Sequence, residues 1–439
     1  MITCKKTWFA VFLSAAFSFA AFAQKPQDYA SSGFLTESDL AFSAKTYAPY
    51  KIKAQFVGGW IYPHDKNTIT PLVNGPALGA EIAFEWGMDG SKGWHRDYNL
   101  PDVGVMMQIL DLGNPAITGQ MISLGTYINL PMVKTDIVSF NIKIGGGAGF
   151  STKPCDVQAA IADPRSINDK AGDYNFAIGS VFSFNPTAGA NLEIKVHPNI
   201  SLAFDVAYNH FSNASLAQPN SGLNLFDGHV GLKYMPVRKQ LPPRIAMQDS
   251  ISTKLKRWSG EVILSGGAKK LYYQDSRYFG CASLNVGGYY RTCRQHRVGL
   301  GLDLFYDGAY VPTANPDGSR NTEFTKFART YTTENLFANK LRFGINIAND
   351  LIIGRLMIGF QFGIYLYDPV KNMEPYDKAK AGETGKGIFY AYDIQDEDGW
   401  NYFRILCKYY ITDHFLANIS FKTHLQKVEF VEFGLGYAF

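Results

Sequence analysis

Long hydrophobic runs are missing from almost all of this 439-residue chain. Beyond residue 24 no stretch approaches the ~18 uninterrupted apolar residues of a membrane-spanning helix, so a helical membrane protein is excluded. Charge of one sign is also scarce. A net charge of +4 is too small a basic excess to imply a nucleic-acid partner. Cysteine is sparse: outside the first 23 residues there are Cys155, Cys281, Cys293 and Cys407, with no CxxC pair and no ligand cluster. That argues against a disulfide framework and a structural zinc. Cys281 and Cys293 fall at opposite ends of one predicted strand, roughly 40 Å apart at the usual rise per residue, which is beyond disulfide reach. No helical pattern follows Gly145, Gly147 and Gly149, so these are not a phosphate loop. They read as strand glycines that permit curvature or close packing.

One apolar run does exist, at the start. Lys5 and Lys6 precede residues 8–22, and Ala21-Phe22-Ala23 stands before Gln24. A basic stretch, a short apolar stretch and an A-x-A site predict a secretory signal over 1–23. Cys4 lies in the basic stretch, away from the cleavage point, which argues against a lipoprotein. The rest of the chain is rich in aromatics and glycine, with 32 Phe, 26 Tyr and 42 Gly. Aromatic enrichment over short alternating segments predicts an all-β, antiparallel transmembrane barrel of the Gram-negative outer membrane, and a secreted β-sandwich is the alternative.

Sixteen alternating segments are predicted. The first eight are 51–62, 78–87, 102–111, 117–132, 137–150, 186–197, 200–212 and 223–235. The second eight are 259–272, 277–292, 296–309, 337–348, 354–367, 399–411, 414–424 and 428–439. Residues 24–50 read as a periplasmic lead-in. Residues 236–257, with Pro242-Pro243, read as a connector between a unit at 51–235 and a second at 258–439. Short turns at 133–136, 198–199, 349–353 and 412–413 alternate with long connections at 151–185, 310–336 and 368–398, which predicts the long ones on the outer side. Only 88–101 is long on the short-turn side. In the last segment Val431, Phe433, Leu435, Tyr437 and Phe439 alternate with Glu432, Gly434, Gly436 and Ala438. That is the period of a strand with a lipid face. Its terminal aromatic is similar to the signal read by the barrel insertion machinery. Residues 139–154 resemble 356–369, which predicts an internal duplication.

The segment 200–212 sets an apolar face of Ile200, Leu202, Phe204, Val206 and Tyr208, whose parity His210 and Ser212 share. In the next segment Asn224 shares parity with Phe226, Val230, Leu232 and Tyr234, whereas Asp227 and His229 point inward. The apolar face must meet lipid. His210, Ser212 and Asn224 are therefore expected together on the barrel's exterior, near one rim, where an imidazole and a hydroxyl form the base and nucleophile of acyl transfer. They can equally be ordinary rim residues.

The run His210-Phe-Ser212-Asn213, followed by Pro-Asn220-Ser-Gly222-Leu-Asn224, resembles the active-site segment of outer-membrane lipid A 3-O-deacylases of the PagL type. The resemblance is close over this hairpin and loose over 50–235. It implies that His210 is the base, Ser212 the nucleophile, an acyl ester of lipid A in lipopolysaccharide the substrate, and no metal or organic cofactor. Asn213 and Asn220 stand at the family's two asparagines, and Asn213 or its N–H is expected to support an oxyanion. The family has Glu where this chain has Asn224. An amide can accept the ring N–H but brings no charge, and a comparable Asp-to-Asn change in a serine-protease triad costs ~10⁴ in turnover. A loop carboxylate, Asp163, Asp169 or Asp173, could stand in. The second half has no such site: His424 has the inward parity, opposite to Thr423. One large barrel is preferred to two eight-stranded ones, because a single closure uses one terminal signal and leaves no free edge. The alternative to a deacylase is a non-enzymatic barrel, either a pore or a retired deacylase that still binds lipid A.

Overall fold

The computed structural model describes residues 46–241, 257–271, 273, 276–310, 337–368, 401–424 and 428–439. The predicted signal at 1–23, most of the lead-in and most of the connector lie outside them. Alternating sequence becomes strand throughout. The first unit contains β1 (Tyr50–Ile61), β2 (Ala77–Gly87), β3 (Asp102–Asp111), β4 (Gln120–Lys134), β5 (Val138–Ser151), β6 (Phe182–His197), β7 (Ile200–Phe211) and β8 (Leu223–Tyr234). The second contains β9 (Trp258–Lys269), β10 (Phe279–Arg291), β11 (His296–Asp307), β12 (Leu341–Ile353), β13 (Leu356–Tyr367), β14 (Asn401–Tyr410), β15 (Phe415–Thr423) and β16 (Val428–Ala438). Among the described residues no helix is long and apolar enough to cross a membrane.

Each unit is a closed antiparallel barrel, and this corrects the expectation of one large barrel. In the first, β8 returns to pair with β1, from Ile52↔Tyr234 to Ile61↔Leu225. In the second, β16 pairs with β9, from Glu261↔Ala438 to Gly266↔Phe433. Two closures remove edges as completely as one, so the edge argument could not choose between them. The inward side chains do choose. An eight-stranded barrel is just wide enough for side chains to fill, and here they fill it in matched ion pairs. In the first barrel Lys53 lies 2.8 Å from Asp205 and 3.2 Å from Glu81, and Lys233 lies 2.6 Å from Glu85. In the second, Arg404 joins Asp303 at 2.8 Å to Glu432 at 2.5 Å, and Lys408 lies 2.6 Å from Asp350. Filled lumens remove the pore reading.

The outward positions are apolar and open, as a lipid face demands. Phe56, Leu300 and Leu435 are 77%, 70% and 70% exposed. In the first barrel the upper end of the lumen is closed by an apolar plug that includes Ile61, Ile69, Leu72, Ile178, Phe211 and Leu223. In the first barrel the connections alternate in length as expected, while 311–336 and 369–400 lie outside the described residues. One end carries 62–76, 152–181 and 212–222 and the other carries 135–137 and 198–199, with 88–101, which holds the short helix Gly93–Asp97, as the long exception. Residues 139–154 and 356–369 begin in β5 and β13, the fifth strand of each barrel, which fits the duplication.

Candidate active site

Period two fixes the faces around β7. Phe211 is fully buried in the apolar plug, so its neighbours His210 and Ser212 take the outer parity. On that parity Val206 is 64% exposed, and across the ladder Tyr208 pairs with Phe226 and His210 with Asn224. His210 and Asn224 therefore sit on the exterior with Tyr208 and Phe226, at the rim that carries the long connections.

The backbone pins the nucleophile candidate. Ser212 N–H donates to Phe184 O at 3.2 Å, and Phe184 N–H donates to Ser212 O at 2.8 Å, which extends the ladder one pair beyond β7. The chain then turns through 212–222 around Asn220. The Asn220 Oδ1 accepts the Asn213 N–H at 3.1 Å, and its Nδ2 donates to Ser212 Oγ at 2.9 Å. Asn213 braces the loop: its Nδ2 donates to Ser180 Oγ at 2.9 Å and its Oδ1 accepts the Ala217 N–H at 3.2 Å. The Asn213 N–H expected to support an oxyanion is thus engaged inside the loop, and Asn220 Nδ2 is the amide that reaches Ser212. Gly222 closes the loop at φ +73°, where a side chain is strained, and a Cβ there would stand 3.1 Å from His210 Cε1 and 3.6 Å from Nε2. The Cε1–Nε2 edge of the ring therefore faces this loop.

The other edge faces the amide. His210 Nδ1 lies 2.6 Å from Asn224 Oδ1, which also accepts the Tyr208 hydroxyl proton at 2.7 Å. An amide oxygen only accepts, so the His210 proton sits on Nδ1 and the Nε2 lone pair is left for a proton from outside. The asparagine's other end is held as well: Asn224 Nδ2 lies 3.0 Å from His64 Nδ1, and His64 Nε2 lies 3.0 Å from Ser221 O. Sequence reasoning missed His64 and Tyr208. His64 is 160 residues from Asn224 and reaches it because β1 pairs with β8, Tyr62 N–H donating to Asn224 O at 2.7 Å.

The loop carboxylates do not orient His210. Arg165 lies 2.6 Å from Asp163 and 2.8 Å from Asp173, and Asp169 accepts the Ser166 hydroxyl proton at 2.6 Å. The hydrogen bonds from Arg165 hold the Asp163 carboxyl down at about 2. A second cluster, Glu81, Asp205 and His229, converges inside the lumen with metal-like spacing. The Lys53 and Lys143 ammonium groups already lie against its carboxylates, at 2.8 to 3.5 Å, and supply the positive charge a metal would bring.

Two family profiles match the chain. One, lipid A 3-O-deacylase (PagL), matches residues 78–233, and the other, the C-terminal domain of acyloxyacyl hydrolase, matches 258–379 and 384–439. No curated protein matches in sequence. Among solved structures, the outer membrane enzyme PagL is 17% identical over 42% of this chain and 99% of its own, with a TM-score of 0.26. Neisserial surface protein A is 11% identical over 43% of this chain and 98% of its own, with a TM-score of 0.28.

Proposed function

We propose, from the match of residues 78–233 to the lipid A 3-O-deacylase family model, that the first barrel hydrolyses an ester-linked acyl chain of lipid A with Ser212 as nucleophile and His210 as base. The chain is an outer-membrane barrel of a Gram-negative bacterium, and lipid A is the substrate class of its family. What carries the mechanistic reading is the 2.6 Å contact between His210 Nδ1 and Asn224 Oδ1 on the lipid-facing wall, two residues from Ser212.

The chemistry runs as follows. His210 Nε2 takes the Ser212 proton as Oγ attacks the ester carbonyl. The resulting oxyanion accepts a hydrogen bond from Asn220 Nδ2, which rests on Ser212 Oγ beforehand. The tetrahedral intermediate expels the sugar oxygen, which takes its proton back from His210 Nε2. Water, deprotonated by the same nitrogen, then releases the fatty acid from Ser212. Throughout, Asn224 holds the Nδ1–H tautomer without adding charge. With the long connections outward, the rim site stands at the outer-leaflet headgroups, where lipopolysaccharide presents its acyl esters. We read residues 1–23 as the export signal and the last strand as the segment recognised during barrel insertion.

The test is fatty-acid release from lipid A by the purified chain in detergent, with mass spectrometry of the lipid product. Release by wild type and background release by Ser212→Ala support the reading. Equal rates for the two leave a barrel that binds lipid A without cleaving it, the reading favoured by the missing carboxylate at 224.

A further inference from the structure

The departure at position 224 raises a physical problem. The two ends of an asparagine amide are nearly the same shape, so nothing intrinsic turns Oδ1 rather than Nδ2 toward a histidine. The flipped amide would donate to His210 Nδ1, put the ring proton on Nε2, and remove the lone pair that receives the Ser212 proton. Tyr208 does not decide the matter, because a hydroxyl donates or accepts equally well.

We propose that His64 is a positioning residue that fixes the amide of Asn224 and, through it, the working tautomer of His210; this rests on the hydrolase reading above. The direction is set by a group that cannot reverse. Ser221 O is a backbone carbonyl and only accepts, and it lies 3.0 Å from His64 Nε2, so that nitrogen carries the proton. His64 Nδ1 is then a lone pair, and it accepts from Asn224 Nδ2 at 3.0 Å. Asn224 Oδ1 is thereby turned to His210 Nδ1 at 2.6 Å. The one competitor is Tyr62 O, 3.3 Å from His64 Nδ1. A proton on Nδ1 would serve that longer contact and, with the amide flipped, Asn224 Oδ1, but it would set lone pair against lone pair at Ser221 O. Both tautomers can keep the Asn224 contact, and only the Nε2–H form keeps the 3.0 Å bond to the Ser221 carbonyl, which decides between them. The chain of donors thus runs from His210 Nδ1 through Asn224 and His64 to Ser221 O, each member giving its proton toward the carbonyl. A carboxylate at 224 would accept from either side and need no such anchor. His64 and the carbonyl of Ser221 thus do by direction part of what a negative charge does by attraction.

The experiment uses the full chain in detergent, with kcat and KM for fatty-acid release from lipid A. His64→Phe, which keeps a ring and removes both nitrogens, lowers kcat about fivefold, the worth of one hydrogen bond, and leaves KM unchanged. His64→Gln, whose carbonyl can accept from Asn224 Nδ2, recovers most of the loss. In an Asn224→Glu background His64→Phe changes kcat less than twofold. Equal kcat for wild type and His64→Phe, or the same fivefold loss in the Asn224→Glu background, overturns the proposal, the second result marking a packing role. If wild type releases no more fatty acid than Ser212→Ala, the hydrolase reading falls and the chain of donors is judged by ¹⁵N NMR of labelled histidine. The His210 proton should reside on Nδ1 in wild type and shift toward Nε2 in His64→Phe. An unchanged tautomer distribution overturns it independently of activity.

Discussion

Both barrels carry a histidine at the top of their seventh strand, and a difference of one position in parity separates their fates. His210 lies on the outer parity of β7 and meets Asn224 across the ladder. His424 follows Thr423 at the end of β15 and turns into the lumen, where its Nε2 lies 2.9 Å from Glu429 and its Nδ1 donates to Asn401 O at 2.9 Å. A one-residue offset moves a strand side chain from one face to the other. The connection that follows differs as well. The first barrel turns through 212–222, with room for Ser212, Asn220 and Gly222, whereas in the second β15 ends at Thr423 and β16 begins at Val428. His424 even has the carboxylate that His210 lacks, yet it faces a packed interior. A histidine beside a carboxylate makes an inward polar contact in the second barrel, and a histidine beside an amide makes part of the proposed catalytic unit in the first. The outward face and a nearby hydroxyl decide which.

The contrast can be broken most severely at the nucleophile. Ser212→Ala and His210→Ala should each reduce fatty-acid release to background, a loss of at least ~10³-fold for members of one nucleophile–base unit. His424→Ala should leave release within about twofold of wild type, because a side chain buried in the other lumen contacts no substrate. The second barrel should instead answer in stability. Arg404→Met strands Asp303 and Glu432, both fully buried. It should cost about 3–5 kcal/mol, seen as a lower denaturant midpoint of the purified barrel. Asn224→Glu supplies the first site with the charge the second already has. It should raise kcat about tenfold, since a charge-assisted hydrogen bond is about twice as strong as a neutral one. Gly222→Ala adds a Cβ 3.1 Å from His210 Cε1 at a positive φ. It should lower kcat between about fivefold and about 150-fold, with the barrel still folded by gel-shift, since such backbone strain costs ~1–3 kcal/mol. The smallest effect should come from Tyr208→Phe. It removes one of two donors to Asn224 Oδ1 and should lower kcat about two- to fivefold.

Much of this was legible because period two is local. Alternation located the sixteen barrel strands and gave the faces of His210, Ser212 and Asn224 without a structure, but not the short pairing of Thr46–Tyr47 with Lys239–Gln240. The misplacements have local causes. The strand expected at 337–348 runs Leu341–Ile353, because Phe337–Lys340 forms a short 3-10 helix and the turn falls at Gly354, with φ +62°, rather than at 349–353. Closure is not local. Parity says which way a side chain points but not which strand returns to which, so one barrel could not be told from two by alternation. The clue was the inward Lys, Arg, Asp and Glu, too many for an open wall and suited to cross-lumen pairing. His64 escaped for the same reason: nothing on its own segment marks it, and only the β1–β8 closure brings it to Asn224. The bracing of Asn213 was equally hidden, since its hydrogen bond to Ser180 depends on β6 beginning beside Ser212.

A site on the outer wall of a barrel with a filled interior changes what limits it. Under the proposed function the substrate would arrive sideways, by two-dimensional diffusion within the leaflet, so its local supply would be high. Under saturation, tighter ground-state binding adds nothing to the rate. Water is the scarce reactant at such a wall, and it must enter from the rim. Selection under these conditions acts on the bond-making steps and on wetting.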